Sequence, residues 1–376
     1  MKILLTGGGT GGHFYPLIAV AEEIKRIAEK ENLLDPQLYF ASVDPYDSDM
    51  LLEYDIEFIK IPAGKTRRYF SVRNATDTFR TMRGTVKAIF VLFRIFPDVV
   101  FSKGGFASVP VVFVARLFGI PVFIHESDSK PGRANMWAGK FARRIAISYP
   151  QAAEYFPKEK VALTGNPIRR EMLTPQSRGA HEFLKLEEGT PVILVLGGSS
   201  GAQRINNTLL ESLPDLVESY QIIHQTGKAH FEEVKSTADV ILTDNPKKER
   251  YRPFANLNAL ALKMSAGIAD IVITRAGSTL FEVAHWGIPS IVIPIPESVS
   301  HDQRTNAFTY ARSGAAVVVE EENLSTHILV ADIKRLMDDE QGREEMKQAA
   351  KEFAKADAGP KIAQAIVDIA LEHEKE

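Results

Sequence analysis

The sequence predicts an α/β chain of two tandem domains, each a mostly parallel sheet covered by helices on both faces. Three observations predict it. Short apolar runs ending in Gly, Ser, Thr or Asn alternate with helical patterns along most of the chain. The order of strand, glycine loop and helix that opens the chain starts again near residue 190. With 376 residues, the chain also exceeds the size at which a single hydrophobic core usually keeps growing.

KILLTGG at 2–8 is an apolar run closed by glycine, and LIAVAEEIKRIAEK at 17–30 has the Ile, Val and Ala spacing of a helix packed on a sheet. Similar strands follow in QLYFAS, IEFIKI, DVVFSKGG (then the helical VPVVFVARLFG), PVFIHES, RRIAIS and KVALTGNP. The second set opens with TPVILVLGGSSGAQRINNTLLESL at 190–213 and runs through YQIIHQTG, RPFANL, ADIVITRAGSTLFEVAHWG, PSIVIPIP and AAVVVE. Between them, over 165–189, Pro, Gly and charge rise and periodicity fades. The expected division is therefore 1–165, 166–345 and a C-terminal helical segment at 346–376, whose return to the first domain stays open.

Composition narrows the function classes. Apolar residues make up 45% and no stretch reaches the roughly 18 to 20 apolar residues of a bilayer-spanning helix. The chain has no cysteine, hence no disulfide, thiol nucleophile or sulfur-based zinc site. No basic-then-apolar leader precedes the first strand, and a cytoplasmic location is expected. The net charge of -3 hides an asymmetry: residues 1–165 hold 22 Lys and Arg against 17 acids, so this half is the one expected to face an anion.

Four glycine loops carry the chemistry: GGGTGGH at 7–13, SKGGFAS at 102–108, GGSSGAQ at 197–203 and RAGSTLFE at 275–282. Each follows a predicted strand, at the edge where open α/β sheets bind ligands. Glycine lets the backbone approach a ligand, and free N–H groups at a helix start favour an anion. None of the loops has dinucleotide or P-loop spacing. His13, just beyond Thr10, Gly11 and Gly12, has an ordinary pKa near 6.5, so it can either contact an anion or take a proton at pH 7.

Together GGTGGH at 8–13, SKGGFASVP at 102–110, HES at 125–127, GNPIR at 165–169, GGSSGAQRIN at 197–206, HQTG at 224–227, RAGSTLFEVAHWGIP at 275–289 and DQRTNA at 302–307 resemble the MurG glycosyltransferases. The resemblance implies a GT-B fold, two Rossmann-like domains with a cleft between them. It implies inverting transfer of N-acetylglucosamine from UDP-GlcNAc to the muramoyl sugar of lipid I, giving lipid II for peptidoglycan, with no cofactor and no catalytic metal.

It also implies site residues. Glu282 would hold the ribose hydroxyls of uridine, beside Ser278 and Thr279. Ser199, Ser200 and Gly201 would line the donor diphosphate, and Arg169 would offset charge on the leaving group. Asp302, Gln303 and Asn306 would contact the transferred sugar, with Asp302 standing where the family more often has Gln or His. Thr10, Gly11, Gly12 and Gly104 belong to the substrate loops. His13 is the base or the positioner of the acceptor. Asp128 closes an HESD stretch where the family reads HEQN; it serves as a local base or orients a polar group, and if ionised it repels the acceptor's diphosphate.

An acceptor with a long lipid implies work at a bilayer surface. Residues 65–96 carry eight Lys or Arg and one acid, Asp77. Phe79, Met82, Val86, Ile89/Phe90 and Phe93 fall on one stripe at helical spacing, as in an interfacial helix, with the last turns expected to pack on the sheet. Expected partners are thus UDP-GlcNAc, lipid I, an anionic cytoplasmic membrane face and cell-wall synthesis proteins, with no nucleic acid. The rival readings are another GT-B glycolipid glycosyltransferase, a UDP-GlcNAc 2-epimerase, and a non-enzymatic scaffold for cell-wall assembly.

Overall fold

The computed structural model describes residues 1–65, 73–197, 202–297 and 303–372. It divides into two compact units, Met1–Arg169 with Ala356–Glu376, and Arg170–Lys355. The break therefore falls after the GNPIR stretch, and the helix Glu340–Phe353 stays with the second unit.

In the first unit β1 (Lys2–Thr6), β2 (Gln37–Ser42), β3 (Ile56–Lys60), β4 (Val99–Ser102), β5 (Val122–Glu126), β6 (Arg144–Ile147) and β7 (Val161–Leu163) form one sheet in the order β3-β2-β1-β4-β5-β6-β7. Every pairing is parallel. Side chains alternate between the two faces, as the period of a strand demands. Ile3, Leu5, Val99 and Phe101 join one core cluster, whereas Leu4 and Val100 join the other. Thr6 lies opposite Ser102, so the glycine loops after β1 and β4 leave the sheet side by side. Here the strand order reverses, and such a switch point opens a crevice at the carboxyl edge.

The helix after β1 runs Gly11–Lys30, six residues longer at its start than the apolar spacing predicts. Thr10 is its N-cap residue, and His13 stands in its first turn instead of in a loop. Buried Phe14 anchors this extra turn. Pro16 sits inside the helix near its start, where its fixed φ is compatible with the turn although it donates no hydrogen bond. The terminal helix Ala358–Leu371 packs Ile362, Ala363, Ile366 and Val367 into the same cluster as Leu17, Ile18 and Ile24. Burial of each large side chain there contributes roughly 1.5–3 kcal/mol.

In the second unit β8 (Val192–Leu196), β9 (Gln221–Gln225), β10 (Tyr251–Phe254), β11 (Ile271–Thr274), β12 (Ser290–Val292) and β13 (Ala316–Val318) repeat the design in the order β10-β9-β8-β11-β12-β13. Pro253 fits because β10 is an edge strand, where a missing N–H costs no ladder bond. The order reverses between β8 and β11, with Leu196 opposite Thr274. Among the described residues, all thirteen strands coincide with segments that the sequence marks as strands.

Candidate active site

In the first unit, a cavity of about 680 Å³ opens where the loops after β1, β4 and β5 converge. Thr10, His13, Lys103, Gly105, Glu126 and Asp128 are among its lining residues. The Thr10 hydroxyl lies 3.0 Å from His13 Nδ1. Among the described residues Nε2 has no hydrogen bond of its own, and it faces Gly105: a Cβ added there would sit 3.4 Å from Nε2 and 3.1 Å from the Gly8 carbonyl. Gly105 also has φ +80°, a conformation that side chains resist. Burial and the nearby Lys103 charge lower the His13 pKa to about 4, so the imidazole is uncharged at pH 7.

Glu126 ends β5 and is nearly sealed from solvent. Its Oε1 accepts from the Asp128 N–H at 2.9 Å, and its Oε2 from Gly132 N–H at 3.1 Å and Asn135 Nδ2 at 3.0 Å. Burial first, then the Asp128 charge, raises its pKa against these bonds and Lys103. The carboxylate fixes the turn that presents Asp128 to the cavity. His125, fully buried, bonds the Gly165 carbonyl through Nε2 at 2.9 Å and ties β5 to the segment after β7.

Gly11, Gly12 and Gly104 do not line the cavity. Gly11 and Gly12 form the start of the helix, and Gly104 backs onto the Asn135 side chain, which a Cβ would meet at 2.7 Å. Arg169 belongs to the first unit, is 6% exposed, and holds its guanidinium 4.5 Å from the centroid of the Tyr15 ring.

In the second unit the segment after β11 leads into the helix Thr279–Trp286, with Ser278 as N-cap residue and Glu282 in the first turn. Three of these side chains, Ser278, Thr279 and Glu282, are partly exposed. Two anchors hold the segment. Asn306 is buried and donates to the Ala276 carbonyl at 3.2 Å. Arg275 donates to the carbonyls of Ile293 and Pro294 and pairs with Glu321. Gln303 begins the helix Gln303–Arg312, accepts from the Ile295 N–H at 3.2 Å, and turns its Nε2 toward Gly277. Ser199, Ser200, Gly201 and Asp302 lie outside the described residues.

The structure places Thr10, His13 and Asp128 at one cavity of the first unit, and in the second unit it sets Gln303 and Asn306 against the segment that leads to Ser278, Thr279 and Glu282. Sequence reasoning misses Lys103 and Asn135. The only signal for Lys103 was a charged residue embedded in a glycine loop.

Models of the glycosyltransferase family 28 N-terminal and C-terminal domains match residues 3–147 and 192–362. A Bacillus thuringiensis (strain Al Hakam) protein, UDP-N-acetylglucosamine--N-acetylmuramyl-(pentapeptide) pyrophosphoryl-undecaprenol N-acetylglucosamine transferase 3, is 38% identical over 337 residues, 89% of this chain and 91% of its own. This chain belongs to glycosyltransferase family 28. The crystal structure of Acinetobacter baumannii MurG superposes on this family 28 chain with a TM-score of 0.71 and 25% identity, covering 98% of it and 99% of MurG. The Neisseria meningitidis UDP-GlcNAc 2-epimerase bound to UDP-GlcNAc reaches a TM-score of 0.70 over 98% and 100% of the chains, but at 15% identity. That second likeness shows the fold alone. The glycosyltransferase assignment rests on the family and the sequence, and the two-domain α/β architecture is the GT-B fold of MurG.

Proposed function

We propose that this family 28 chain transfers N-acetylglucosamine from UDP-GlcNAc to a hydroxyl of the muramoyl sugar of lipid I, for peptidoglycan synthesis. The observation that carries the mechanism is the placement of His13 at a cavity that Asp128 also lines, with its Nδ1 3.0 Å from the Thr10 hydroxyl; burial and Lys103 lower its pKa to about 4, which favours the uncharged ring at pH 7. In this reading Nε2 takes the proton of the attacking hydroxyl. The new bond joins the acceptor oxygen to the anomeric carbon, and the old carbon–oxygen bond breaks with its electron pair leaving on UDP. In-line geometry accounts for the inversion.

On the donor side Glu282 takes the two ribose hydroxyls, and Ser278 and Thr279 present their backbone N–H groups at a helix start. Ser199, Ser200 and Gly201 serve the diphosphate and Gln303 the sugar, and Asn306 acts by holding Ala276 in place. Arg169 fits a role at the nucleotide less directly, since its guanidinium packs on Tyr15. A fall in turnover of roughly 10²–10⁴ for His13→Ala, with unchanged UDP affinity, tests the base. Equal turnover in the variant removes it.

The membrane reading is supported by the helix Arg73–Ile95. Its buried face is Asp77, Gly84, Ala88 and Leu92, and Phe79, Met82, Val86, Phe90 and Phe93 remain exposed. The last turns do pack on the core, but through Ala88 and Leu92, leaving Phe93 75% exposed. Arg83, Lys87 and Arg94 are exposed on the same helix. Phe113 and Leu117 of the helix Val109–Leu117 extend the apolar area, and both helices contribute to one core cluster. Among the described residues no helix is long and apolar enough to cross a membrane. The protein thus docks peripherally on the anionic cytoplasmic face, where each nearby cation contributes about 1 kcal/mol.

A further inference from the structure

Lys103 is a buried charge for which the described residues supply no hydrogen-bond acceptor. It follows β4, its backbone N–H donates to the Thr6 carbonyl at 2.9 Å, and its stem passes against Gly7, where an added Cβ would lie 3.1 Å from Lys103 Cβ. The residue is 2% exposed, and Nζ has no hydrogen-bond partner among the described residues. It nevertheless lines the cavity that holds His13, Glu126 and Asp128. Lys65 and Arg133, at the same cavity, are exposed to water and need no such partner.

A buried ammonium without an acceptor is costly, and the cost is recovered when a ligand supplies one. The neighbouring carboxylates do not fill that role. Glu126 spends its oxygens on Asp128 N–H, Gly132 N–H and Asn135. Burial lowers the Lys103 pKa to about 8, and the charges of Glu126 and Asp128 oppose that fall without bonding the ammonium. The same cation answers the difficulty that Asp128 raises. An ionised Asp128 alone would repel a phosphate, and with Lys103 beside it the floor of the cavity is no longer net negative from that residue.

We propose that Lys103 is the anion contact of this cavity, its Nζ taking a phosphate oxygen of the acceptor substrate. This rests on the acceptor reading of the first unit given above. A lysine stem has four rotatable carbons and three donors, enough freedom to lift the ammonium to the cavity surface when an anion enters.

The test measures KM for a soluble short-chain lipid I analogue and for UDP-GlcNAc in the wild type, Lys103→Met, Asp128→Asn and the double variant. Lys103→Met raises acceptor KM at least tenfold and leaves donor KM unchanged. Lys103→Arg recovers part of the loss. In the double variant acceptor KM stays at least fivefold above that of Asp128→Asn. Acceptor KM within twofold of the wild type in Lys103→Met overturns the proposal. So does full recovery in the double variant, since Lys103 would then serve only to neutralise Asp128.

Should Lys103→Met not fold, inorganic pyrophosphate on the wild type decides. Competition against the acceptor supports the contact, and competition against UDP-GlcNAc alone overturns it. A wild type that transfers nothing to the analogue would instead remove the acceptor reading itself.

Discussion

The charge state of His13 is set by what surrounds it. Burial and Lys103 bring its pKa down to about 4, so the base form is present above that value and is lost as pH falls through it. The acid limb of kcat/KM is therefore expected near pH 4 to 5, well below the 6.5 of a free histidine. A pH–rate profile with its acid limb at 6.5 would place the titration on another group. For Glu282→Ala, calorimetry should show UDP-GlcNAc affinity falling by about 1–3 kcal/mol, the cost of hydroxyls left without their acceptor. Unchanged affinity removes Glu282 from the nucleotide site. His13 was legible in the sequence because it follows glycines that clear space beside it. Lys103 was not, because a lysine next to Gly-Gly reads as a solvated turn until Gly7, just after the neighbouring strand, is seen to admit its stem. Asn306 was legible as a polar group near the sugar loop, but its burial and its bond to Ala276 depend on contacts 30 residues apart.

The strands were readable because each is a continuous apolar run closed by a turn residue, and a strand buried on both faces allows little else. Apolar spacing starts the first helix too late because Gly11 and Gly12 have poor helix propensity, whereas tertiary packing of Phe14 carries them into the turn. The helix Arg73–Ile95 shows a different ambiguity. A stripe of large apolar residues reads equally as a core face or a lipid face, and here the core face is the small one, Gly84 and Ala88. Phe96 sharpens the point. It ends this helix at φ +46° and is exposed, at a position where glycine would close the helix without strain. Phe96→Gly should leave stability unchanged or raise it by up to about 1 kcal/mol while lowering sedimentation with anionic vesicles. The triple change Phe79→Ser, Arg80→Glu and Arg83→Glu should lower sedimentation further and spare transfer to a short-chain acceptor. Sedimentation equal to wild type in both would move the apolar area out of any lipid contact.

Across the whole chain, buried histidines tie stability to pH. His224 is fully buried between Tyr251 and Asn206, and burial lowers its pKa to about 3. The unfolded chain takes up this proton below 6.5 and the folded chain does not. Its contribution is therefore complete above pH 6.5 and is lost as pH falls, by about 1.4 kcal/mol per unit. His13 and His125 in the first unit act in the same direction. Glu126, with its pKa raised, acts in the opposite one, since its contribution is lost as pH rises. Urea midpoints should therefore be lower at pH 5.5 than at 7.5, and a higher midpoint at 5.5 would contradict the burial of these rings.

The same fold serves transferases and epimerases, since both MurG and a UDP-GlcNAc 2-epimerase superpose on this chain. Architecture therefore does not choose between them, and acceptor chemistry does. The measurement that decides is incubation of the purified protein with UDP-[14C]GlcNAc in the presence and absence of lipid I. Label moving into a lipid product only when lipid I is added, with release of UDP, is the predicted result. Formation of UDP-ManNAc without an acceptor, or no label leaving the nucleotide in either reaction, would contradict it.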